Sequence, residues 1–254
     1  TPLRSSAASD VYKRQGEHKP RPCVFEYIYF SRPDSFLRGK TAYEYRKNLG
    51  KELAREDTVE ADLVVPVPDS GNAAAIGYSH EKKINFELGL IRNHYVGRTF
   101  IEPGQQIRSL GVKLKLNANK SSIEGKSIIL VDDSLVRGTT SHKIVKMLYD
   151  AGAKEVHLRI ACPEIKYPDF YGVDMPTKKE LLAANKSVEE ICEYVQAKSL
   201  RFLSIKGLYK ALGFQERNNT TPQLTDHYFT GEYPIKLVDQ LGDSKITQLS
   251  LLSS

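Results

Sequence analysis

The sequence predicts an α/β domain with a mainly parallel sheet, and three short apolar segments carry this prediction. They are DLVVPV at residues 62–67, SIILV at 127–131 and KEVHLRIACP at 154–163. Helical patterns follow the first two, NAAAIGYSHEK directly after a PDSG turn and TTSHKIVKMLYDAG up to Gly152. Short β-branched strands that alternate with helices are typical of parallel sheets flanked by helices.

The remaining elements are weaker and are predicted from their local patterns. CVFEYIYFSRPDS is interpreted as an aromatic-rich strand that ends in a turn, and TAYEYRKNLGKELARE has helical spacing. INFELGLI and SLRFLSI are predicted as short strands. The segments TKKELLAAN, SVEEICEYVQA and IKGLYKALG are predicted as small helices, which gives a small C-terminal helical region.

Three regions follow from this pattern. Residues 1–20 are polar, basic and aperiodic, and we interpret them as a leader that is disordered or not part of the natural protein. Residues 21–212 form the predicted domain with its C-terminal helices, and 213–254 a weakly structured tail. Within the domain, residues 92–120 are cationic, contain glycine and lack periodicity. A segment of this kind inside a compact domain is typical of a flexible lid loop or of disorder.

Composition limits the class of protein. Hydrophobic residues make up 40% and charged residues 27%, the net charge is +6, and no apolar run approaches the roughly 20 residues of a membrane span. No signal peptide is visible, so a cytoplasmic protein without a membrane partner is predicted. Three separated cysteines offer neither a zinc motif nor a disulfide framework. The basic charge fits an anionic metabolite as well as a nucleic acid.

Asp132 and Asp133 stand side by side where the strand SIILV ends. Ligands of parallel α/β sheets bind at the carboxyl ends of the strands. The segment from Ser134 to Thr140 follows, with a turn glycine, two threonine hydroxyls, Arg137 and a helix N-terminus, which together suit a phosphate. The segment therefore presents hydrogen-bond acceptors next to donors. A matching ligand has hydroxyls or Mg²⁺ next to a phosphate, as a sugar phosphate does.

Two other interpretations also start from this segment. Acidic residues near the positive end of a helix are common and can be purely structural. An apolar strand that ends in an acid also resembles a Walker B strand, which needs a partner P-loop of the form GxxxxGK[ST]. The nearest glycine spacing, GNAAAIG, has no lysine, so a nucleoside triphosphatase is excluded.

VDDSLVRGTT resembles the phosphoribosyl-pyrophosphate (PRPP) loop of type I phosphoribosyltransferases. Other segments, among them FEYIYFSRPDS, VVPVPDSG, NHYVGRTFIEPGQQIR, VKLKLN and AGAKEVHLRIACPEIKYPDFYGVDMPT, are similar to the glutamine PRPP amidotransferase family. The resemblance covers about residues 21–212. It implies the type I phosphoribosyltransferase fold with a flexible lid loop. The implied activity is transfer of the phosphoribosyl group of PRPP to ammonia, the first step of purine synthesis.

The resemblance also implies roles for single residues. Asp132 and Asp133 would act in catalysis, contact the ribose hydroxyls and hold Mg²⁺, and Ser70 would approach the diphosphate and the metal. Lys115, in the lid, would be a further catalytic residue that contacts the diphosphate. Arg98 and Arg108 are additional candidate anion contacts in that segment. The loop around the 5-phosphate would consist of Ser134, Val136, Arg137, Gly138, Thr139 and Thr140.

The family pattern is not complete in this sequence. The family begins with a glutaminase domain, for which the sequence offers no counterpart, so ammonia would come from a missing or separate domain. Some members carry an iron–sulfur cluster on four cysteines. Cys23 matches one ligand position, Asp169 stands at a second, and the tail has no CxxC, so no cluster is expected. A homo-oligomer with purine nucleotides as feedback ligands is expected, with no nucleic-acid partner. A PRPP-binding regulatory protein without catalysis remains the alternative.

Overall fold

A computed structural model describes residues 20–93, 116–175 and 177–235 of the chain. Its core is a five-stranded parallel sheet, accompanied by two small antiparallel pairs. The strands of the described ranges are β1 Phe36–Leu37, β2 Lys40–Thr41, β3 Leu63–Pro66, β4 Asn85–Phe86, β5 Leu90–Arg92, β6 Leu116–Ala118, β7 Ser127–Asp132, β8 Glu155–Ile160 and β9 Ser199–Phe202.

Helices lie between the strands and after them. The α-helices of the described ranges are α1 Ala42–Arg55, α2 Asn72–Lys82, α3 Lys120–Ile123, α4 Thr139–Asp150, α5 Leu182–Asn185, α6 Val188–Val195, α7 Ile205–Ala211 and α8 His227–Thr230. A single π-helical turn, Glu26–Phe30, precedes them, and a 3₁₀ turn, Lys178–Glu180, precedes α5.

The sheet has the strand order β4-β3-β7-β8-β9. All residues of β3 are buried, and so are five of the six residues in each of β7 and β8. Parallel strands that are covered on both faces are expected to be continuously apolar, as these are. The predicted strands 62–67, 127–131 and 154–163 and the helices that follow the first two are therefore confirmed.

The first two helices pack closely through glycine. A capping box at Thr41 and Glu44 starts α1. A Cβ added at Gly50 of α1 would lie 1.8 Å from the carbonyl oxygen of Ala74, and one at Gly77 of α2 would lie 1.9 Å from that of Lys47. Each backbone therefore approaches the other where the facing residue has no side chain.

A buried ion pair joins the sheet to these helices. Arg159 of β8 is 1% exposed, and its guanidinium binds both carboxylate oxygens of Asp57, with Nη2 3.2 Å from Oδ1. The Tyr78 hydroxyl of α2 donates to the same carboxylate. Burial acts to raise the pKa of Asp57, but hydrogen bonds from Arg159 and Tyr78 outweigh it, and the pKa is lowered. This carboxylate is thus held in its charged form.

Two local predictions were wrong in detail. The aromatic segment predicted as a strand forms the π-helical turn Glu26–Phe30. Its buried residues are Val24, Phe25, Tyr27 and Ile28, a spacing of three and four rather than the two of a strand. INFELGLI divides into two strands, since β4 pairs parallel with β3, whereas β5 pairs antiparallel with β6.

The end of the described chain packs on the core. From residue 213 onward the described part contains one α-helix, the four-residue α8, in which His227, Tyr228 and Phe229 are buried. The boundaries of leader, domain and tail stay predictions. The lid expected at 92–120 lies largely outside the described residues. Among residues 20–93, 116–175 and 177–235 no helix is long and apolar enough to cross a membrane.

Candidate active site

The carboxyl ends of β3 and β7 place two loops side by side. These strands are parallel neighbours in which Pro66 pairs with Val131, and the backbone N–H of Val67 donates to the carbonyl of Val131 at 2.8 Å. The loop after β3 carries Ser70, and the loop after β7 carries the acid pair. Residues 62 positions apart in the sequence thus meet at one edge of the sheet.

The two carboxylates lie at this edge and are largely buried. Asp132 and Asp133 are each 8% exposed. Oδ1 of Asp132 accepts a hydrogen bond from the backbone N–H of Asp133 at 2.9 Å, and the hydroxyl of Ser70 lies 3.5 Å from it. Oδ2 of Asp133 accepts from the hydroxyl of Ser134 at 3.1 Å. The structure thus brings Ser70 and the acid pair together at one edge of the sheet.

The electrostatic environment of Asp132 differs from that of an ordinary surface acid. Burial, and then the neighbouring charge of Asp133, raise the pKa of Asp132 well above its usual value of 3.8, while hydrogen bonds from the Asp133 backbone and Ser70 act in the opposite direction. A cation beside the pair would reverse this balance and favour the doubly charged form.

The phosphate-type loop follows directly. Gly138, with a φ of +71°, is the N-cap residue of α4, and no side chain caps the helix there. The first backbone N–H groups of α4 are thus open to an anion. A cavity of about 420 Å³ joins this helix start to the acid pair. It is lined by Tyr29, Val67, Pro68, Ser70, Leu116, Asp132, Asp133, Ser134, Leu135, Val136, Arg137, Gly138, Thr139, Thr140, Ser141 and Ile144.

Arg137 lines the cavity but also has a partner outside the loop. Its Nε donates to Oε1 of Glu180 at 3.1 Å, and both side chains are about half exposed. The same part of the chain supports the loop from behind, because the backbone N–H of Leu182 donates to the carbonyl of Val136 at 2.9 Å. The phosphate-type loop is therefore held from the segment that contains α5.

Some predicted residues cannot be placed, and other lining residues were not predicted. Lys115, Arg98 and Arg108 lie outside the described residues. Tyr29 and Leu116 line the cavity although the sequence analysis assigned them no role there. For Tyr29 the available signal was the three- and four-residue spacing of its buried neighbours, which a helical interpretation of FEYIYF would have used.

A larger cavity of about 1280 Å³ lies elsewhere, between residues 20–22, 36–38 and 214–223. None of its described lining residues is acidic. Its two arginines are engaged already, since Arg21 donates to the carbonyl of Pro222 and Arg38 lies over the ring of Phe214. The chemistry therefore favours the smaller cavity as the reaction site.

The fold is that of a type I phosphoribosyltransferase domain, as the resemblance implied. The relatives that the chain matches are amidophosphoribosyltransferases, so the resemblance recognised in the sequence is confirmed over this domain. The chain is 58% identical over 250 residues to an amidophosphoribosyltransferase of Rhizobium etli, covering 98% of the chain and 50% of that protein. It is 53% identical over 215 residues to one of Methanocaldococcus jannaschii, covering 85% and 44%.

A solved structure agrees with these relatives. Glutamine PRPP amidotransferase from B. subtilis, complexed with ADP and GMP, superposes with a TM-score of 0.80 at 50% identity, covering 89% of this chain and 50% of that one. A scan against protein-family models finds no match. The chain spans about half the length of the relatives it matches.

Proposed function

We propose that this chain is the synthase half of an amidophosphoribosyltransferase. It transfers the phosphoribosyl group of PRPP to ammonia and releases 5-phosphoribosylamine and diphosphate, the first step of purine synthesis. The observation that carries the proposal is the buried pair Asp132 and Asp133 between Ser70 and the uncapped start of α4. The named relatives support the same reaction class, that of a pentosyl-transferring enzyme.

Different residues of the site bind different parts of PRPP. Asp132 and Asp133 accept hydrogen bonds from the two ribose hydroxyls, which are vicinal as the carboxylates are adjacent. The 5-phosphate binds to the loop of Ser134, Val136, Arg137, Gly138, Thr139 and Thr140, where backbone N–H groups and the start of α4 favour an anion. Ser70 faces the diphosphate from the neighbouring loop. A substrate held at three points is fixed with C1 towards one side of the cavity.

The chemistry is a displacement at C1 of the ribose. The bond between C1 and the diphosphate oxygen breaks, the nitrogen of ammonia bonds to C1, and the resulting ammonium group then loses a proton. No strong base is required for attack because ammonia is a neutral nucleophile. Water competes for the same carbon, so the buried acids and the apolar lining, including Leu116, favour the intended reaction by limiting solvent.

The roles of Lys115, Arg98 and Arg108 as contacts to the diphosphate or another anion remain proposals made from the sequence. Departure of diphosphate builds negative charge that cations stabilise in the transition state. Lys115 immediately precedes Leu116, which lines the cavity, and this adjacency supports a diphosphate contact. Arg137 contributes positive charge at the phosphate end, where it is now paired with Glu180.

The residues fit Mg²⁺ bound together with the substrate. No group of three or more acidic, histidine or cysteine side chains in the described ranges could hold a metal by itself. Mg²⁺ keeps several waters and is commonly bound by one or two carboxylates plus substrate phosphates. Asp132 and Asp133, with Ser70, offer that set, and bound Mg²⁺ would neutralise charge on the departing diphosphate.

Partners and location follow from the family and stay at the level of proposals. The B. subtilis structure was solved with ADP and GMP, which supports purine nucleotides as feedback ligands here. Ammonia derived from glutamine is the proposed nitrogen donor. A homo-oligomer, no membrane or nucleic-acid partner and a cytoplasmic location remain predictions from the sequence.

Calorimetric titration with PRPP, with and without Mg²⁺, tests the binding step. We expect saturable heat with Mg²⁺ and much less without it. Diphosphate release with ammonia as the nitrogen donor then separates catalysis from the alternative, a PRPP-binding regulatory protein. Absence of binding under both conditions would refute the proposal, and binding without turnover would favour the alternative.

A further inference from the structure

Arg46 of α1 is a buried cation that belongs neither to the ion pair of Arg159 and Asp57 nor to the acid pair of the site. It is 7% exposed. Its Nε donates to the carbonyl of Tyr27 at 3.1 Å and its Nη2 to the carbonyl of Ser31 at 2.7 Å. No carboxylate of the described ranges lies within ion-pair distance of it. A guanidinium is costly to bury, so two backbone carbonyls as its partners indicate a role in fixing that backbone.

The backbone in question is the turn Glu26–Phe30. One turn of helix has little stability of its own, because ordering its residues yields few hydrogen bonds. Its closing bond, from the N–H of Ser31 to the carbonyl of Glu26, is long at 3.4 Å. Arg46 bridges Tyr27 and Ser31, the residues two positions before and after Tyr29.

Tyr29 connects this turn to the active site. Its side chain is half exposed, and it lines the same cavity as Asp132 and Asp133. The charge of Asp133 also acts on the guanidinium of Arg46. Burial lowers the pKa of Arg46, and the charge of Asp133 acts against that shift. The guanidinium therefore lies within electrostatic reach of the site while it bonds the turn.

We propose that Arg46 is a positioning residue, which holds the turn 26–31 so that Tyr29 forms one wall of the substrate cavity. The inference rests on the proposed function for its kinetic consequence, but the placement of Tyr29 can be measured without any substrate. Loss of Arg46 should release Tyr29 and weaken PRPP binding through it.

The chain contains no tryptophan, so Tyr29→Trp introduces a single fluorescent reporter at the position in question. In this background we expect Arg46→Met to lower the emission anisotropy and shift the emission to the red. Arg55→Met is the matched control, because Arg55 lies on the same helix and pairs with Glu52 and Glu81. It should leave the emission unchanged. Unchanged emission in a folded Arg46→Met protein would overturn the inference.

The second measurement follows the effect to the substrate. We expect Arg46→Met to raise the KM for PRPP by about five- to tenfold, and the same change in a Tyr29→Ala background by less than about twofold, because residues that act through one another are not additive. Additive effects would contradict the inference. Arg46→Lys should recover part of the loss, since an ammonium retains charge but cannot form the two-pronged bridge.

The two readouts separate this inference from the proposed function. If the wild-type chain does not bind PRPP, the proposed function fails while the emission test still decides the role of Arg46. If PRPP binds and Arg46→Met leaves the emission of the reporter unchanged, only the positioning role fails. Should Arg46→Met not fold, Arg46→Lys carries the same emission test with the same two outcomes.

Discussion

At the residue scale, two buried aspartates of this chain lie in opposite electrostatic surroundings. Asp57 is paired with Arg159 and Tyr78, and its pKa is lowered despite burial. Asp132 has the charge of Asp133 beside it, and its pKa is raised. The carboxylate of Asp57 stabilises the fold. The charged form of Asp132 is unfavourable beside Asp133, and a cationic ligand would stabilise it.

Asp132→Asn and Asp133→Asn should therefore affect activity and stability in opposite directions. Loss of a charged hydrogen bond of about 1.5–3 kcal/mol lowers the rate roughly ten- to a hundredfold if it acts in the transition state. The melting temperature should hold or rise, because the amide keeps the shape and removes like-charge repulsion. Ammonia-dependent diphosphate release and thermal melts measure both effects.

Asp57→Asn is the contrasting control. It leaves Arg159 buried without its counter-charge, and we expect a loss of about 3–5 kcal/mol in the free energy of unfolding. If the two site variants keep full activity, or if both lose stability as the control does, the acid pair is structural and its assignment as a substrate site fails.

The raised pKa of Asp132 has a defined consequence for pH dependence. In the folded state this carboxyl holds its proton to a higher pH than the usual 3.8 of the unfolded chain. Its contribution to stability is thus fully present below that value and is lost as pH rises to the folded pKa. The free energy of unfolding of Asp132→Asn should equal that of the wild type at about pH 4 and exceed it at neutral pH. Urea unfolding at both pH values tests this, and a constant difference would contradict it.

At the element scale, the phosphate-type loop depends on the helices behind it. A Cβ added at Gly138 would lie 2.6 Å from the Leu182 side chain and 3.1 Å from the Tyr194 ring. His142 of α4 also approaches the carbonyl of Tyr194 at 3.0 Å. The loop is therefore wedged between its own helix and the segment of α5 and α6, which fixes its open N–H groups.

Gly138→Ala should destabilise the chain and weaken PRPP binding. Gly125→Ala is matched to it, because Gly125 has a φ of +72° against +71° but has open space where its Cβ would lie. Both should lose about 1 kcal/mol for the left-handed backbone. Only Gly138→Ala should lower the affinity for PRPP, as measured by calorimetry. Equal affinities in the two variants would refute the role given to the loop geometry.

The contact between α1 and α2 is a second element-scale feature that can be tested. Alanine ordinarily stabilises a helix interior by roughly 1 kcal/mol relative to glycine. At Gly50 the added methyl would instead meet the backbone of Ala74 at 1.8 Å. We expect Gly50→Ala to lower the free energy of unfolding by about 1–3 kcal/mol, the usual cost of overpacking. A stabilised variant in urea titration would show that the helices separate freely.

At the scale of the whole molecule, the C-terminal part of the described chain is joined to its start. Cys23 lies 3.3 Å from the hydroxyl of Tyr228, and the N–H of Thr225 donates to the carbonyl of Pro22. Asp169 accepts from the ring of His227 at 2.9 Å and from the backbone N–H groups of residues 171 and 173. These side chains are already engaged with protein partners.

We expect the purified protein to be colourless and free of iron. The resemblance implies that Cys23 alone of the three cysteines matches a cluster position, and Asp169, at a second such position, is used in hydrogen bonds. Iron analysis and visible absorbance after anaerobic purification measure this. Stoichiometric iron with visible absorbance would contradict the prediction, and Cys23→Ser should leave both measurements unchanged.

The sequence by itself determined the parallel strands, the helices between them and the acid pair at a strand end. These features are local: a β-branched run, a helical period and two adjacent aspartates are written in consecutive residues. The family resemblance also implied that Ser70 and the acid pair serve one substrate, and the structure places the Ser70 hydroxyl 3.5 Å from Asp132.

Only the tertiary structure decided which distant side chains complete the site and the core. Arg159 pairs with Asp57 across 102 residues of sequence, Arg137 pairs with Glu180, and Arg46 donates to backbone carbonyls of the turn that carries Tyr29. None of these partners is specified by a local pattern. Each depends on where whole elements pack, which brings residues that are distant in the sequence into contact.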